Sequence, residues 1–592
     1  MSIYTYSIQD NFSHRPGNDS IAYSDGLDIE SRLYEIISKT QDRSVLSEEL
    51  ANNIVDWPTE YHFSRLRHCL LKHLPFHQAN NILELGCGCG AITRFLGETG
   101  ACIDSVEGTY QRARVAGARC SDLSNVNIFV DDLLKFESNK KYDWVLLIGV
   151  LEYAPIFSTR ADAVSEYLEV AKRYLKPNGK LVVAIENKLG LKYFNSCSED
   201  HVNQPFFGIE NKYSTKTPVT FGRKELSSIL ENNGFSDLKF FYPFPDYKLP
   251  TVVVDDTAFS DCHLKVADLL VGAKARDYSG REFRSFNESF VWPELEKNGL
   301  VEELSNSFLV VTSADSIKNK EIAWYYNVNR LRDFTTQTTF YRSDRGLRVS
   351  KRRLLNTSIS DRKQKYCHVE LDEEYYLGES LQHLIEQSWH KTNDFSHAIY
   401  LYVDWFKYLV SLSQGEEIGD MLIAGDCIDL TPFNIKVKDD QFEFFDKEWI
   451  ADNYVSLKWV LFRGLYWSLV KLNSSSFLEI NVIDLFREIS LRAGFNEYIS
   501  DDFINECIDI ERDFIHYTLG ESVNISHKIK KIPEDLVGIE KTLSQLESDN
   551  AYLLQQNTAL LQQKTVISKA LEKYQLFLPI RVIRFLKRMI KQ

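Results

Sequence analysis

Short apolar runs alternate with helical patterns through the first half of the chain. Ile82 to Leu85 reads as a buried strand, and the apolar and small residues from Ala91 to Gly97 follow as a helix. A second strand, Ala101 to Val106, ends on Glu107. A third, Val126 to Val130, ends on Asp131 and Asp132. A fourth runs from Tyr142 to Tyr153. Leu175-Lys-Pro-Asn-Gly179 then turns into a fifth strand, Lys180 to Ile185. Leu238 to Tyr242 and Ser307 to Thr312 read as the sixth and seventh, which makes residues 250–305 an insertion on the ligand side. Strands alternating with helices predict an α/β domain over residues 1–315, with a helical cap in its first seventy-odd residues.

The pattern changes beyond this domain. Residues 320–525 open with strand-like sequence and then turn mainly helical. Farther on, Ile539, Leu546, Leu553, Leu560, Ile567 and Tyr574 recur every seven residues. Leu536, Leu543, Asn550, Asn557, Lys564 and Leu571 fill the other seam. That heptad pattern predicts a coiled coil over 533–574, and buried Asn550 and Asn557 favour a parallel homo-oligomer, most often two-stranded. In 576–592, Val582, Ile583, Phe585, Leu586, Met589 and Ile590 fall on one helical face. Arg581, Arg584, Lys587, Arg588 and Lys591 fall on the other. A basic amphipathic helix of this kind suits an anionic membrane surface, and docking onto a partner protein is the competing reading.

Composition narrows the classes. A chain of 592 residues predicts several domains, and 44% hydrophobic residues can bury large cores. A net charge of −15 argues against a nucleic-acid partner. The start shows no signal-peptide pattern, and no stretch of about 20 apolar residues is long enough to span a bilayer. Ten cysteines without a framework fit a reduced, cytoplasmic setting. Cys87 and Cys89 read as small residues of a loop, not as metal ligands. His68, His73 and His77 lie on one amphipathic segment and read as structural.

The chemistry begins at Gly86, Gly88 and Gly90, between the first strand and its helix. Glycines there let the backbone pass against a ligand where a Cβ would clash. With the strand ends at Glu107 and Asp131-Asp132, the run Tyr142 to Tyr153 and the Leu175–Gly179 turn, this series resembles the class I S-adenosylmethionine-dependent methyltransferases, Rossmann-like α/β proteins. The resemblance implies that Glu84 and the three glycines line the methionine and ribose side of S-adenosylmethionine. It implies that Glu107 holds the ribose and Asp132 meets the adenine, with Asp131 as the alternative. Candidate acceptor-side groups are Glu152, Tyr153, Glu186, Asn187, Lys188, His201 and the cluster Tyr242 to Lys248. His201 is the best base by chemistry, because imidazole exchanges its proton near neutral pH. Lys188, Lys192 and Arg223 are candidates to hold a charged acceptor.

In the second part, Asp429-Leu-Thr-Pro-Phe-Asn434 has the spacing of a kinase catalytic loop, and Phe442 to Asp446 is a strand ending in an aspartate. Leu347 to Lys351 resembles the strand that carries a phosphate-binding lysine. Tyr375 to Leu381 resembles the hinge behind a nucleotide. The likeness is to protein-kinase-like folds. It implies ATP and magnesium, with Asp429 taking the acceptor proton, Asn434 and Asp446 as metal ligands and Lys351 on the phosphates. The segment departs from that pattern: no glycine-rich loop precedes Lys351, Cys427 replaces a histidine, and Lys-Glu-Trp follows Asp446. No helix glutamate can be assigned as the partner of Lys351.

Methyltransferase, kinase-like α+β domain, coiled coil and basic helix, in that order, resemble the bacterial O-antigen chain terminators, which are bifunctional methyltransferase/kinases. The resemblance implies a polysaccharide acceptor, phosphorylated and then methylated at its growing end. It also implies a glycosyltransferase partner, an oligomer that can be a trimer, and a peripheral location on the inner face of the cell membrane. Two other readings stand beside it. One is a sugar O-methyltransferase whose degenerate kinase-like domain holds the glycan; the other is a membrane-docked scaffold for a glycosyltransferase.

Overall fold

The computed structural model describes residues 3–16, 26–312, 320–355, 365–392, 394–439, 441–473, 477–495 and 499–531, with isolated positions at 558, 564, 565, 587 and 590. The expected coiled coil and basic helix lie, those positions apart, outside the described residues.

Four central strands are parallel: β3 (Asn81–Leu85), β4 (Cys102–Glu107), β5 (Val126–Val130) and β6 (Tyr142–Ile148). They lie in the order β5-β4-β3-β6. The long strand β7 (Leu175–Glu186) continues parallel beside β6, and β10 (Ser307–Val311) enters antiparallel between β7 and β8 (Lys239–Phe244). These strands are apolar because both faces of the sheet are covered. Leu83, Val145, Leu147 and Val183 point into one core, while Ile82, Trp144, Leu146 and Val182 point into the other, which is the period of two that a strand imposes.

Three details differ from the sequence reading. The fourth strand stops at Ile148. Gly149 adopts φ +69°, and a Cβ there would lie 2.6 Å from the Tyr247 hydroxyl, so the chain turns and Leu151–Tyr153 forms one 3-10 turn. Residues 176–179 are a bulge inside β7, since Tyr142 pairs with Leu175 and Trp144 already pairs with Lys180. Finally, the chain opens with a hairpin, β1 (Thr5–Ser7) and β2 (Phe12–His14), whose second strand adds in parallel to β5. Tyr4 and Arg15 flank that hairpin and clamp Asp131. The helices α1 (Leu27–Lys39), α2 (Glu48–Ala51) and α3 (Trp57–Phe63) follow.

The insertion adds β9 (Val252–Asp255), and the sheet then runs on antiparallel through β11 (Glu321–Asn327), β12 (Thr336–Ser343) and β13 (Gly346–Arg353). Past β14 (Tyr366–His368), β15 (Leu371–Glu374) closes the edge against β13. The result is one 14-stranded mixed sheet shared by both halves of the chain. Helices over Leu381–Thr392, Phe395–Ser411, Leu457–Lys471, Val482–Arg492 and Asp501–Leu519 pack around a separate core rich in tryptophan. Between them lie β16 (Glu379–Ser380), β17 (Leu422–Ala424) and the hairpin β18 (Ile435–Lys438) and β19 (Gln441–Phe444).

Candidate functional site

A cavity of about 330 Å³ opens at the carboxyl ends of β3, β4 and β6, where ligands bind in sheets of this kind. Gly86 and Gly88 line it and adopt φ +86° and +56°, which favours glycine. A Cβ on Gly86 would lie 2.5 Å from Val150. Gly90 is not part of the lining. It adopts φ +79° against Ala116, where a Cβ would come within 2.9 Å of the Ala116 Cα, and so sets how closely the helix after the loop packs.

Glu107 lines the cavity and accepts the amides of Gly88 at 2.8 Å and Thr109 at 3.0 Å, one on each oxygen. A carboxylate has about four acceptor sites, so capacity remains for a ribose diol. Glu84 is buried at its edge, accepting hydroxyl bonds from Thr93 at 2.6 Å and Ser105 at 2.8 Å, and burial pushes its pKa up to about 7. The glycine cradle and the Glu107 carboxylate fit S-adenosylmethionine. The two expected adenine partners are placed differently. Asp131 is committed to Tyr4 at 2.5 Å and to Arg15 at 3.0 Å. Asp132 accepts the Leu134 amide and pairs with Lys135 at 3.1 Å. Neither lines the cavity, whereas the next residue, Leu133, does.

On the acceptor side the same cavity is walled by Glu152, Tyr153, His201, Tyr247 and Lys248, joined by Trp57 and Tyr61 of α3. His201 Nδ1 lies 3.0 Å from the Tyr153 hydroxyl and Nε2 3.2 Å from Glu186. Burial disfavours the imidazolium, but Glu186, Glu152 and Glu199 together outweigh burial and raise the His201 pKa to about 9. The ring therefore carries its proton at neutral pH and is not a free base there. Burial, reinforced by Glu186, pushes Glu152 up to about 8.

The cationic candidates are occupied. Lys192 is fully buried against Asp200 at 2.9 Å, Lys188 pairs with Glu225 at 2.8 Å, and Arg223 pairs with Glu303 at 3.3 Å. Two residues that the sequence reading missed complete the wall. Arg67 donates to the carbonyls of Tyr247 and Lys248, and Tyr278, from the insertion, donates to Asp246 at 2.6 Å. A basic residue inside an apolar segment was the available signal for Arg67. His68 and His73 are core residues, packed on Phe95 and on Phe241 with Trp324, and burial lowers both pKa values to about 3.

A second cavity of about 590 Å³ lies between the outer strands of the sheet and the helical core. It gathers Lys351, Asp429, Asn434 and Asp446, together with Glu373, Glu374, Tyr375 and Tyr376 from the hinge-like segment. Asn434 donates to the Asp429 carbonyl at 3.0 Å. Arg463 reaches the Asp429 carboxylate at 3.3 Å, yet burial pushes that carboxyl up to about 7. Asp446 sits at φ +61°, a strained position for a non-glycine residue. Lys351 pairs with Asp446 and, at 3.0 Å, with Glu448. Glu448 lies two residues beyond Asp446 and not on a helix.

Glu448 also binds Arg330 and lies 3.5 Å from His368. Burial would raise its pKa, but Lys351 and Arg330 hold it well below the usual carboxylate range. Removing one partner from a buried charge cluster costs about 3–5 kcal/mol. Glu448→Ala is therefore expected to destabilise the helical core by about that amount, measured by chemical denaturation. Because the folded pKa is depressed, the wild-type contribution is present above about pH 4.5 and is lost as pH falls below it.

Residues 83–181 match the family model described as a methyltransferase domain. The chain is 26% identical over 148 residues to the demethylmenaquinone methyltransferases of two Tropheryma whipplei strains, Twist and TW08/27. Each match covers 25% of this chain and 57% of the relative, so the chain spans little more than half of those proteins. Among solved structures, it is similar to a Haemonchus contortus phosphoethanolamine N-methyltransferase 2 bound to S-adenosyl-L-methionine, at 16% identity and TM-score 0.27, covering 47% of this chain and 59% of that one. A Thermotoga maritima S-adenosylmethionine-dependent methyltransferase is similar at 13% identity and TM-score 0.26, covering 47% of this chain and 98% of that one. The chain carries an S-adenosylmethionine-dependent methyltransferase domain of Rossmann-like class I fold, built into a larger mixed sheet.

Proposed function

We propose that this protein is an S-adenosylmethionine-dependent methyltransferase that modifies the end of a bacterial surface polysaccharide, with a kinase-like domain that phosphorylates the same end. The observation that carries the reading is the pairing of two cavities in one chain. One holds the glycine loop with Glu107; the other gathers Lys351, Asp429, Asn434 and Asp446. Bound S-adenosylmethionine supplies an electrophilic methyl group. The chain's own part is to hold the cofactor through the Gly86–Gly88 turn and Glu107, and to align the acceptor in a cavity walled by Trp57, Tyr61, Tyr153 and Tyr247. His201 stands on the acceptor side with its proton held by Glu186, so a hydroxyl acceptor would need another group to take its proton and a phosphate acceptor needs none. In the second cavity, ATP and magnesium would be held by Lys351, Asn434 and Asp446, with Asp429 facing the acceptor hydroxyl.

Mass spectrometry of the terminal sugar of the cell's polysaccharide, with and without this protein, tests the proposal. A methyl group and a phosphate are both expected to disappear with the gene. One observation favours the sugar O-methyltransferase reading: Asp446, the proposed metal ligand, is paired with Lys351. Loss of the methyl group alone would select that reading.

Among the described residues no helix is long and apolar enough to cross a membrane. Peripheral attachment through 576–592, next to a membrane-bound glycosyltransferase, completes the proposal. Replacing Phe585 and Leu586 with Glu removes two large apolar side chains, about 3–6 kcal/mol if both insert. The variant is expected to leave anionic vesicles in co-sedimentation, and full retention would redirect attention to a protein partner.

A further inference from the structure

The acceptor side holds a cluster that the methyl-transfer reading does not explain. Glu152 follows β6 on the 3-10 turn, Glu186 ends β7, and His201 lies in the next loop. One ligand atom from each lies within 4.8 Å of the other two. Glu152 and Glu186 are both 0% exposed. Neither carboxylate oxygen of Glu152 has a hydrogen-bond partner, although the residue lines the cavity. A fully buried carboxyl group whose two oxygens have no hydrogen-bond partner and which lines a cavity has its donor atoms free for a ligand.

None of the neighbouring cations among the described residues hydrogen-bonds Glu152. Lys248 contacts Glu186 Oε1 and Asp200. Lys192 is held by Asp200 at 2.9 Å and Asp246 at 3.8 Å. Arg67 donates to backbone carbonyls. Lys248 thus leaves Glu186 Oε2 facing His201 Nε2.

We propose that a first-row divalent cation binds here through Glu152, Glu186 and His201, on the acceptor side of the methyl-transfer cavity. Two carboxylates and one imidazole form a ligand set suited to Mn²⁺ or Zn²⁺. The Tyr153 hydroxyl, 3.0 Å from Nδ1, accepts that nitrogen's proton and so fixes the tautomer that presents Nε2 to the ion. The ion would sit between Glu186 Oε2 and His201 Nε2, which lie 3.2 Å apart. Three protein ligands leave open positions for water and for an acceptor oxygen. An acceptor hydroxyl bound there would lose its proton more readily, and two neighbouring hydroxyls of a sugar could chelate the ion. The inference rests on the reading of this cavity as a methyltransferase site.

The test uses the full-length protein carrying Asp446→Asn, which removes the metal carboxylate proposed in the other cavity. Free Mn²⁺ is followed by electron paramagnetic resonance during titration. One Mn²⁺ per chain is expected, with affinity reduced by roughly 10-fold or more in Glu152→Gln and in His201→Ala. Crystals soaked in Mn²⁺ are expected to show an anomalous peak among the three side chains, a result that requires neither of these two variants to fold. Unchanged Mn²⁺ affinity in both folded variants, or no peak at the cluster, would overturn the inference. Calorimetric titration of the unmodified protein with S-adenosylmethionine keeps the two readings apart. Cofactor binding without Mn²⁺ at the cluster sinks only the metal site, and absence of cofactor binding sinks the methyltransferase reading.

Discussion

Glu107→Ala is expected to weaken S-adenosylmethionine binding by roughly 100-fold or more, and methyl transfer with it. The size follows from what the carboxylate does. It stands at the end of β4, lines the cavity and accepts the amides of Gly88 and Thr109. Hydrogen bonds to a charged group contribute about 1.5–3 kcal/mol each, and a ribose diol would supply two. The alanine variant loses those bonds and also frees the loop amide that shapes the glycine turn. Calorimetric titration measures the loss, and circular dichroism checks that the fold persists. Glu107→Gln separates the two contributions, because an amide oxygen can still accept from Gly88 while the charge is gone. An affinity unchanged in the alanine variant would show that the cofactor does not use this strand end.

The strand that ends on Glu107 and its neighbours were legible in the sequence from their apolar positions. Ile82–Leu85 is buried at every position, while in Val126–Val130 the buried Ile128 and Val130 alternate with exposed Asn127 and half-buried Phe129. The three-residue strands at the start were not legible. Thr-Tyr-Ser and Phe-Ser-His carry too few apolar positions to show a period, and their place is fixed by Phe12 in the core and by the Tyr4 and Arg15 clamp on Asp131. That clamp was equally illegible: Asp131, the alternative adenine partner, is held by an arginine 116 residues away, which no local pattern records. The acceptor wall shows the same limit. Glu186, Asp200, Lys248 and Tyr278 meet in space through loops from four separate segments, and no local pattern records such a meeting. Lys351 shows it most plainly, since a search for a helix glutamate overlooks Glu448, which lies beside Asp446 in the sequence itself.

If the second cavity transfers phosphate, Asp446→Asn is expected to reduce magnesium-dependent phosphoryl transfer by at least about 1,000-fold, since transfer of this kind depends on the metal-held geometry. Asp446 follows the hairpin strand β19, its amide donates to Glu373 at 2.9 Å, and its φ of +61° is held by the surrounding structure. A residue kept in a strained conformation at the wall of a cavity is placed for function more often than for stability. The carboxylate contacts Lys351, so nucleotide and magnesium must draw the two apart before transfer. Asparagine keeps the size but carries no charge for the metal, and it frees Lys351 to rest on Glu448 alone. Nucleotide affinity without magnesium is therefore expected to stay the same or rise, while turnover is lost. Measuring ATP binding and phosphate transfer to glycan in both proteins separates the outcomes. Wild-type protein that binds ATP but transfers nothing would make this a binding domain, and wild-type protein that binds no nucleotide would remove the lysine, the aspartates and the asparagine from any phosphoryl chemistry.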